Sequence, residues 1–130
     1  LDTNFLLVPG QFGVDIFKEL DRICYFNYKL FIIPETMKEL LKIAETQKGA
    51  HKRAAELAVS LLKAKNVLTA KTEKNKKRGV FQSVDDLIIE TATTQDFIVA
   101  TQDKELKKKL LNKGVAIITL TQKKYLKLVR

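Results

Sequence analysis

Phe97-Ile98-Val99-Ala100-Thr101-Gln102-Asp103-Lys104-Glu105-Leu106, continued by a Lys- and Leu-rich stretch to Leu111 and then by Val115-Ala116-Ile117-Ile118, is the passage that decides the fold. Each short, unbroken apolar run reads as a strand buried on both faces, and the charged stretch from Lys104 to Leu111 between them reads as a helix. Gly114 after Asn112-Lys113 marks that helix's end. Two such strands joined by a helix are parallel neighbours, because parallel pairing needs a crossover of this length.

The same alternation runs back toward the N-terminus. Leu30-Phe31-Ile32-Ile33 is a doubly buried strand, and Pro34 suits the first turn of a helix carrying Met37, Leu40, Leu41 and Ala44. Lys48-Gly49 breaks that helix, and a second follows with Ala54, Leu57, Ala58, Leu61 and Leu62 on one face. Val67-Leu68-Thr69 reads as a brief strand, and Lys71 to Gly79 as a polar, basic loop. Ser83 with Asp86 three residues on has the form of a capping box ahead of Leu87-Ile88-Ile89. Nearer the start, Pro9 and Gly10 read as turn residues. Val14, Phe17, Leu20 and Ile23 recur at helical spacing, and Leu1-Asp2 reads as the end of a buried strand cut short on its N-terminal side. Thr121 to Arg130 fits either an edge strand or a last helical turn. The expectation is one α/β domain over residues 1–130, a three-layer α/β/α unit around a central, mostly parallel sheet.

Composition narrows the partners. The 130 residues hold 24 Lys and Arg against 15 Asp and Glu, a formal charge of +9. That excess points to a polyanion, either nucleic acid or an acidic membrane surface. Nearly all of it is lysine, which suits phosphate contact better than base reading. No apolar run approaches the roughly 20 residues that span a bilayer, and no signal peptide is recognisable, so a cytoplasmic location is expected. A single cysteine, Cys24, excludes an intrachain disulfide and a Cys-rich zinc site. The sole histidine, His51, lies among Lys48, Lys52 and Arg53 and reads as part of a solvated face.

In open α/β sheets, chemistry gathers beyond the carboxyl ends of the strands. In this chain acids stand there: Asp2, Glu39 one turn into the helix after Pro34, Asp86 opening the helix after Ser83, and Asp103. Each also has a plainer reading, as turn residue, solvated helix acid, cap partner and N-cap respectively. Two carboxylates about 4 Å apart repel by roughly 4 kcal/mol at an effective dielectric near 20, so four together require protons or cations. Oxygen ligands without Cys or His favour Mg²⁺ or Mn²⁺, ions suited to orienting water for phosphodiester hydrolysis. The basic loop with Lys71, Lys74, Lys76, Lys77 and Arg78, and the Lys107-Lys108-Lys109 cluster, are candidates for holding phosphates; a solubilising surface is the alternative.

Leu1-Asp2-Thr3-Asn4, Ile33-Pro34 with Lys38-Glu39-Leu40, Ser83-Val-Asp-Asp-Leu-Ile-Ile-Glu90 and Ile98-Val-Ala-Thr-Gln-Asp-Lys-Glu-Leu106 together resemble the PIN domain. The likeness is greatest to its archaeal branch, related to VapC toxins and to ribosomal-RNA processing nucleases. It runs the length of the chain in order. It implies a metal-dependent endoribonuclease with Asp2, Glu39, Asp86 and Asp103 as catalytic metal ligands, and with Thr101, Asp85 and Asn4 in support. Asp86 takes the metal position by matching Asp-Leu-Ile-Ile to the family's Asp-x-x-Ile, which leaves Asp85 as a neighbouring acid; Gln102 stands where Asn is commoner. RNA is the implied substrate, with an antitoxin protein or a ribosomal precursor as partner and a homodimer as the assembly.

Local spacing separates other acidic α/β proteins. Asn4 occupies the position where a haloacid-dehalogenase-like phosphatase needs its second acid, and Gly10-Gln-Phe-Gly13 is neither a dinucleotide fingerprint nor a P-loop. A noncatalytic RNA-binding or ribosome-assembly module on the same fold is the alternative function.

Overall fold

A computed structural model describes residues 1–70, 83–94 and 97–130. Their order is α1 (Thr3–Leu6), α2 (Val8–Phe12), α3 (Ile16–Ile23), β1 (Phe31–Ile32), α4 (Pro34–Thr46), α5 (Ala50–Ala64), β2 (Leu68–Thr69), α6 (Val84–Thr94), β3 (Val99–Ala100), α7 (Lys104–Asn112), β4 (Ile117–Thr121) and β5 (Tyr125–Val129). The stretch expected as a basic loop, with Lys74, Lys76, Lys77 and Arg78, lies outside the described residues.

The strands form two small sheets. β1 pairs in parallel with β2 through Phe31↔Leu68 and Ile32↔Thr69, the α4–α5 hairpin making the crossover. β3 pairs in parallel with β4 through Val99↔Ile117 and Ala100↔Ile118, with α7 as crossover. β5 lies antiparallel on the outer side of β4, from Ile117↔Val129 to Thr121↔Tyr125, so the tail is an edge strand and not a helical turn.

The N-terminus departs from expectation. Leu1 and Asp2 do not close a strand in either sheet; they form an extended link between the two. The Leu1 nitrogen donates to the Phe31 carbonyl at 3.0 Å, and the Asp2 amide donates to the Ala100 carbonyl at 2.8 Å. Asp2 then serves as the N-cap of α1. Pro9 and Gly10, read as turn residues, lie inside α2. Pro at the first or second helical position costs no hydrogen bond there. Gly10 is required by packing: a Cβ there would stand 2.6 Å from the Ala54 Cα, so α2 rests directly on the α5 backbone. The chain turns out of α2 at Gly13, left-handed with φ +66, and Asp15 caps α3 by accepting from the Lys18 amide.

Alternation along the short strands feeds two cores. Ile32, Ala100 and Ile118 enter one, with Phe5, Leu6, Ile16, Leu20, Leu40 and Ala58 from α1 to α5. Their neighbours Ile33, Val99 and Ile117 enter the other, with Leu87 and Ile88 of α6 and Leu106 and Leu110 of α7. Strands buried on both faces need helices on both faces, which is why their sequences lack a polar alternation. Fully burying a leucine such as Leu40, Leu106 or Leu110 contributes roughly 1.5–3 kcal/mol over leaving it exposed.

Candidate functional site

The site is assembled where α1, α4, α6 and α7 begin. Asp2 is its anchor, only 4% exposed. One carboxylate oxygen, Oδ1, accepts from the Thr3 amide at 2.8 Å, and Oδ2 accepts from the Thr101 hydroxyl at 2.8 Å. Thr101 is fully buried at the end of β3, and its oxygen also accepts from the Asp103 amide at 3.1 Å. Asp103 uses Oδ1 to cap α7 on the Leu106 amide at 3.0 Å. Asp2, Thr101 and Asp103 are therefore tied by consecutive hydrogen bonds across two separate parts of the chain.

Two more acids face this group. Glu39, half-buried on α4, has its pKa pushed up by burial and then by the charge of Asp2, with a smaller contribution from Asp85; the neighbouring Thr3 hydroxyl acts in the opposite direction. That hydroxyl is buried and meets no partner at hydrogen-bond geometry. Asp85, in the first turn of α6, is raised by burial, then by Asp2 and Asp103, and is relieved in part by Lys109. Asp2 itself is raised by burial and by Asp103, against the hydrogen bonds from Thr101 and Thr3 that favour its charged form. Burial first, and neighbouring negative charge second, thus favour the protonated state of Asp2, Glu39 and Asp85, as expected for acids gathered in a poorly solvated place.

The neighbouring acids of α6 have different surroundings. Asp86, expected in the metal position, is exposed and closes the capping box: its carboxylate accepts from the Ser83 amide at 3.4 Å, and the Ser83 hydroxyl accepts from the Asp86 amide at 3.1 Å. One residue along a helix is a rotation of about 100°, so Asp85 is the one brought into the field of Asp2 and Asp103. Matching a local motif could not register that turn.

The remaining expected residues are dispersed. Asn4 is exposed on α1. Lys107 is half-buried and donates to the Thr119 hydroxyl at 3.1 Å, a tie between α7 and β4. Lys108 is exposed, and Lys109, third of that run, is the cation felt at Asp85. Thr3 is not singled out by the sequence; its place in the Asp2-Thr3-Asn4 string is the one available signal. Lys109 belongs to the lysine cluster expected to hold phosphates.

The donor set suits a hard divalent cation: oxygen ligands only, strong mutual repulsion to relieve, and a buried Thr3 hydroxyl lacking a hydrogen-bond partner beside Glu39. Among the described residues, no three acidic, imidazole or thiol groups already stand in an arrangement that could hold a metal ion. Among the same residues, no helix is long and apolar enough to cross a membrane.

Comparison with known proteins identifies the family. A family model described as "PIN like domain" matches residues 1–123. The chain is 31% identical over 127 residues to Ribonuclease VapC4 of Methanocaldococcus jannaschii, covering 95% of this chain and 90% of that protein. It is 30% identical over 125 residues to Ribonuclease VapC9 of Archaeoglobus fulgidus, covering 95% and 83%. Among solved structures, the PIN domain endonuclease Utp24 superposes with a TM-score of 0.76 over 99% of this chain and 88% of that one, at 23% identity. At that identity the likeness is one of fold.

Proposed function

The chain belongs to the PIN-like domain family, and from that premise we propose that it is a divalent-metal-dependent endoribonuclease. In this reading Asp2, Glu39, Asp85 and Asp103 hold the metal. The observation that carries it is the gathering of Glu39, Asp85 and Asp103 around Asp2, whose carboxylate is held by the buried Thr101 hydroxyl, with burial and neighbouring charge raising the pKa values of Asp2, Glu39 and Asp85. Repulsion of that kind lowers stability unless something that binds there repays it. Both curated relatives carry the name ribonuclease.

When bound, Mg²⁺ or Mn²⁺ offsets the repulsion and acts as a Lewis acid toward a phosphodiester. The protein's own contributions are distinct. Thr101 and the Thr3 amide fix the Asp2 carboxylate from two sides. Glu39, whose proton is already held more tightly than an exposed glutamate's, is suited to accept a proton from the attacking water. Lys108 and Lys109 on α7 place positive charge for the RNA backbone. Asp86, expected among the ligands, serves the helix cap in this reading.

The same reading treats the two sheets as one interrupted sheet, bridged by Leu1 and Asp2 and covered by helices on both sides: a single three-layer domain. RNA is the substrate and the cytoplasm the location. The VapC names of both curated relatives favour a toxin-type role with an antitoxin partner over ribosomal-precursor processing; a homodimer is the proposed assembly. The test is cleavage of labelled single-stranded RNA in Mn²⁺, Mg²⁺ or EDTA, by this chain and by Asp85→Asn. Metal-dependent cutting that disappears in the variant is expected. RNA binding without cutting under every condition would reinstate the noncatalytic module.

A further inference from the structure

Three residues separate β3 from α7, and each side chain is committed differently. Thr101 serves Asp2, and Asp103 serves the helix cap. Gln102, between them, points its amide oxygen at β4, where Oε1 accepts from the Leu120 amide at 2.6 Å and from the Thr119 hydroxyl at 2.9 Å. The same hydroxyl accepts from the Lys107 ammonium one turn into α7.

The place of these bonds in the ladder is informative. The Val99 amide donates to Ala116 and the Thr101 amide to Ile118, the last backbone bonds between the two chains at this end of the sheet. The next donor along β4, the Leu120 amide, meets the Gln102 side chain. A side-chain carbonyl thus adds a rung beyond the end of β3. β4 is held on its other side by β5 through its whole length, with Leu120↔Leu126 and Thr119↔Lys127 in register, so the acceptor is anchored to a fixed strand.

Building on the nuclease reading above, we propose that Gln102 is a positioning residue for the acidic site: its link to Thr119 and Leu120 sets where the flanking Thr101 hydroxyl and Asp103 carboxylate stand relative to Asp2. Beyond the Thr101 amide's bond to Ile118 and the Asp103 cap on α7, the Gln102 bonds tie this Thr-x-Asp segment to β4 past the end of β3. The hydrogen bond from the Asp103 amide to Thr101 closes the segment on itself without fixing it to the sheet. Removing the Gln102 bonds also strands a half-buried amide on β4.

The experiment uses the full chain and two measurements on each protein: Mn²⁺ affinity by calorimetry, and kcat and KM for cleavage of single-stranded RNA. Gln102→Leu removes the acceptor and leaves a branched apolar side chain one atom shorter. Metal affinity and kcat are expected to fall together by roughly tenfold or more, the usual scale for groups that orient metal ligands, with KM for RNA changed less than about threefold. Thr119→Val removes the hydroxyl and spares the Leu120 bond; a smaller loss is expected, not additive with the first. A folded Gln102→Leu with wild-type Mn²⁺ affinity and kcat overturns the proposal. If Gln102→Leu does not fold, an unchanged Mn²⁺ affinity in Thr119→Val overturns it instead. Wild-type protein that binds Mn²⁺ without cutting RNA sinks the nuclease reading alone, since Mn²⁺ affinity still decides the role of Gln102.

Discussion

The starts of α6 and α7 face the same site and solve the same problem in different ways. Each helix leaves unpaired amides at its N-terminus, and each uses an acid to meet them. At α7 one residue does both jobs: Asp103 caps the helix on the Leu106 amide and faces Asp2 across Thr101. At α6 the jobs are divided, with Ser83 and Asp86 forming the reciprocal cap and Asp85 turned toward Asp2 and Asp103. An acid's presence at a helix start therefore does not say whether it serves the helix or the site. What separates the two is which direction the first turn faces.

The largest expected effect tests that division. Asp85→Asn should reduce metal-dependent RNA cleavage by on the order of a hundredfold or more, judged against the ten- to hundredfold typical of groups one step further from a metal. Asp86→Asn should leave kcat within about threefold of wild type. Equal losses from both, in side-by-side cleavage assays, would falsify the division of labour at α6. At α7 the jobs separate by choice of substitution. Asp103→Asn keeps a good cap and removes the charge, so activity falls while stability holds. Asp103→Ala loses both, at an added cost of about 0.5–2 kcal/mol readable by urea unfolding.

How far the sequence reads depends on how locally a feature is specified. The β3–α7–β4 unit was legible because its strands are unbroken apolar runs and its helix ends at a glycine that adopts φ +77. The capping box at Ser83 was legible because its partners are three residues apart. The N-terminal dozen was misread: Pro9-Gly10 usually marks a turn, and only contact with Ala54, over forty residues away, shows that the glycine serves helix packing. Acids at strand ends are readable as candidates because strand ends collect chemistry. Asp85 and Asp86 differ by a helical rotation and not by composition, so a local pattern does not separate their surroundings. The role of Gln102 was equally hidden, resting on Thr119 and Leu120 from a different strand.

A medium-sized effect concerns pH. Asp2, Glu39 and Asp85 have folded-state pKa values raised above their ordinary ones. The native state therefore holds more protons than the unfolded chain as pH rises from roughly 4. Stability falls through that window and stays reduced above the raised values. A divalent cation competes with those protons and repays the repulsion only once they have left. Metal-free protein should accordingly melt at a higher temperature at pH 5 than at pH 7.5, as far as these three groups decide it. The increase in Tm on adding Mn²⁺ should be larger at pH 7.5. Asp85→Asn should flatten both trends, and in EDTA at pH 7.5 it should be at least as stable as wild type. A Mn²⁺ effect that is the same at both pH values in differential scanning calorimetry would show that the cation does not bind among these acids.

The smallest effect isolates the cap from the site. Asp86→Ala removes the carboxylate that meets the Ser83 amide, and Ser83→Ala removes the hydroxyl that meets the Asp86 amide. Each is expected to cost about 0.5–1 kcal/mol, toward the lower part of the capping range because both residues are exposed and water replaces the lost partner. Asp86→Glu restores the commoner form of the box, with a longer arm for a bond that spans 3.4 Å here, and is expected to match or slightly exceed wild-type stability. Asp86 is the smallest of the influences on Asp85, so cleavage by all three should stay near wild type while the unfolding midpoints separate. If stability and cleavage instead fall in proportion across the series, the cap does more than close α6: it holds Asp85 at the angle that faces Asp2, and the two tasks divided between neighbours are coupled through one helical turn.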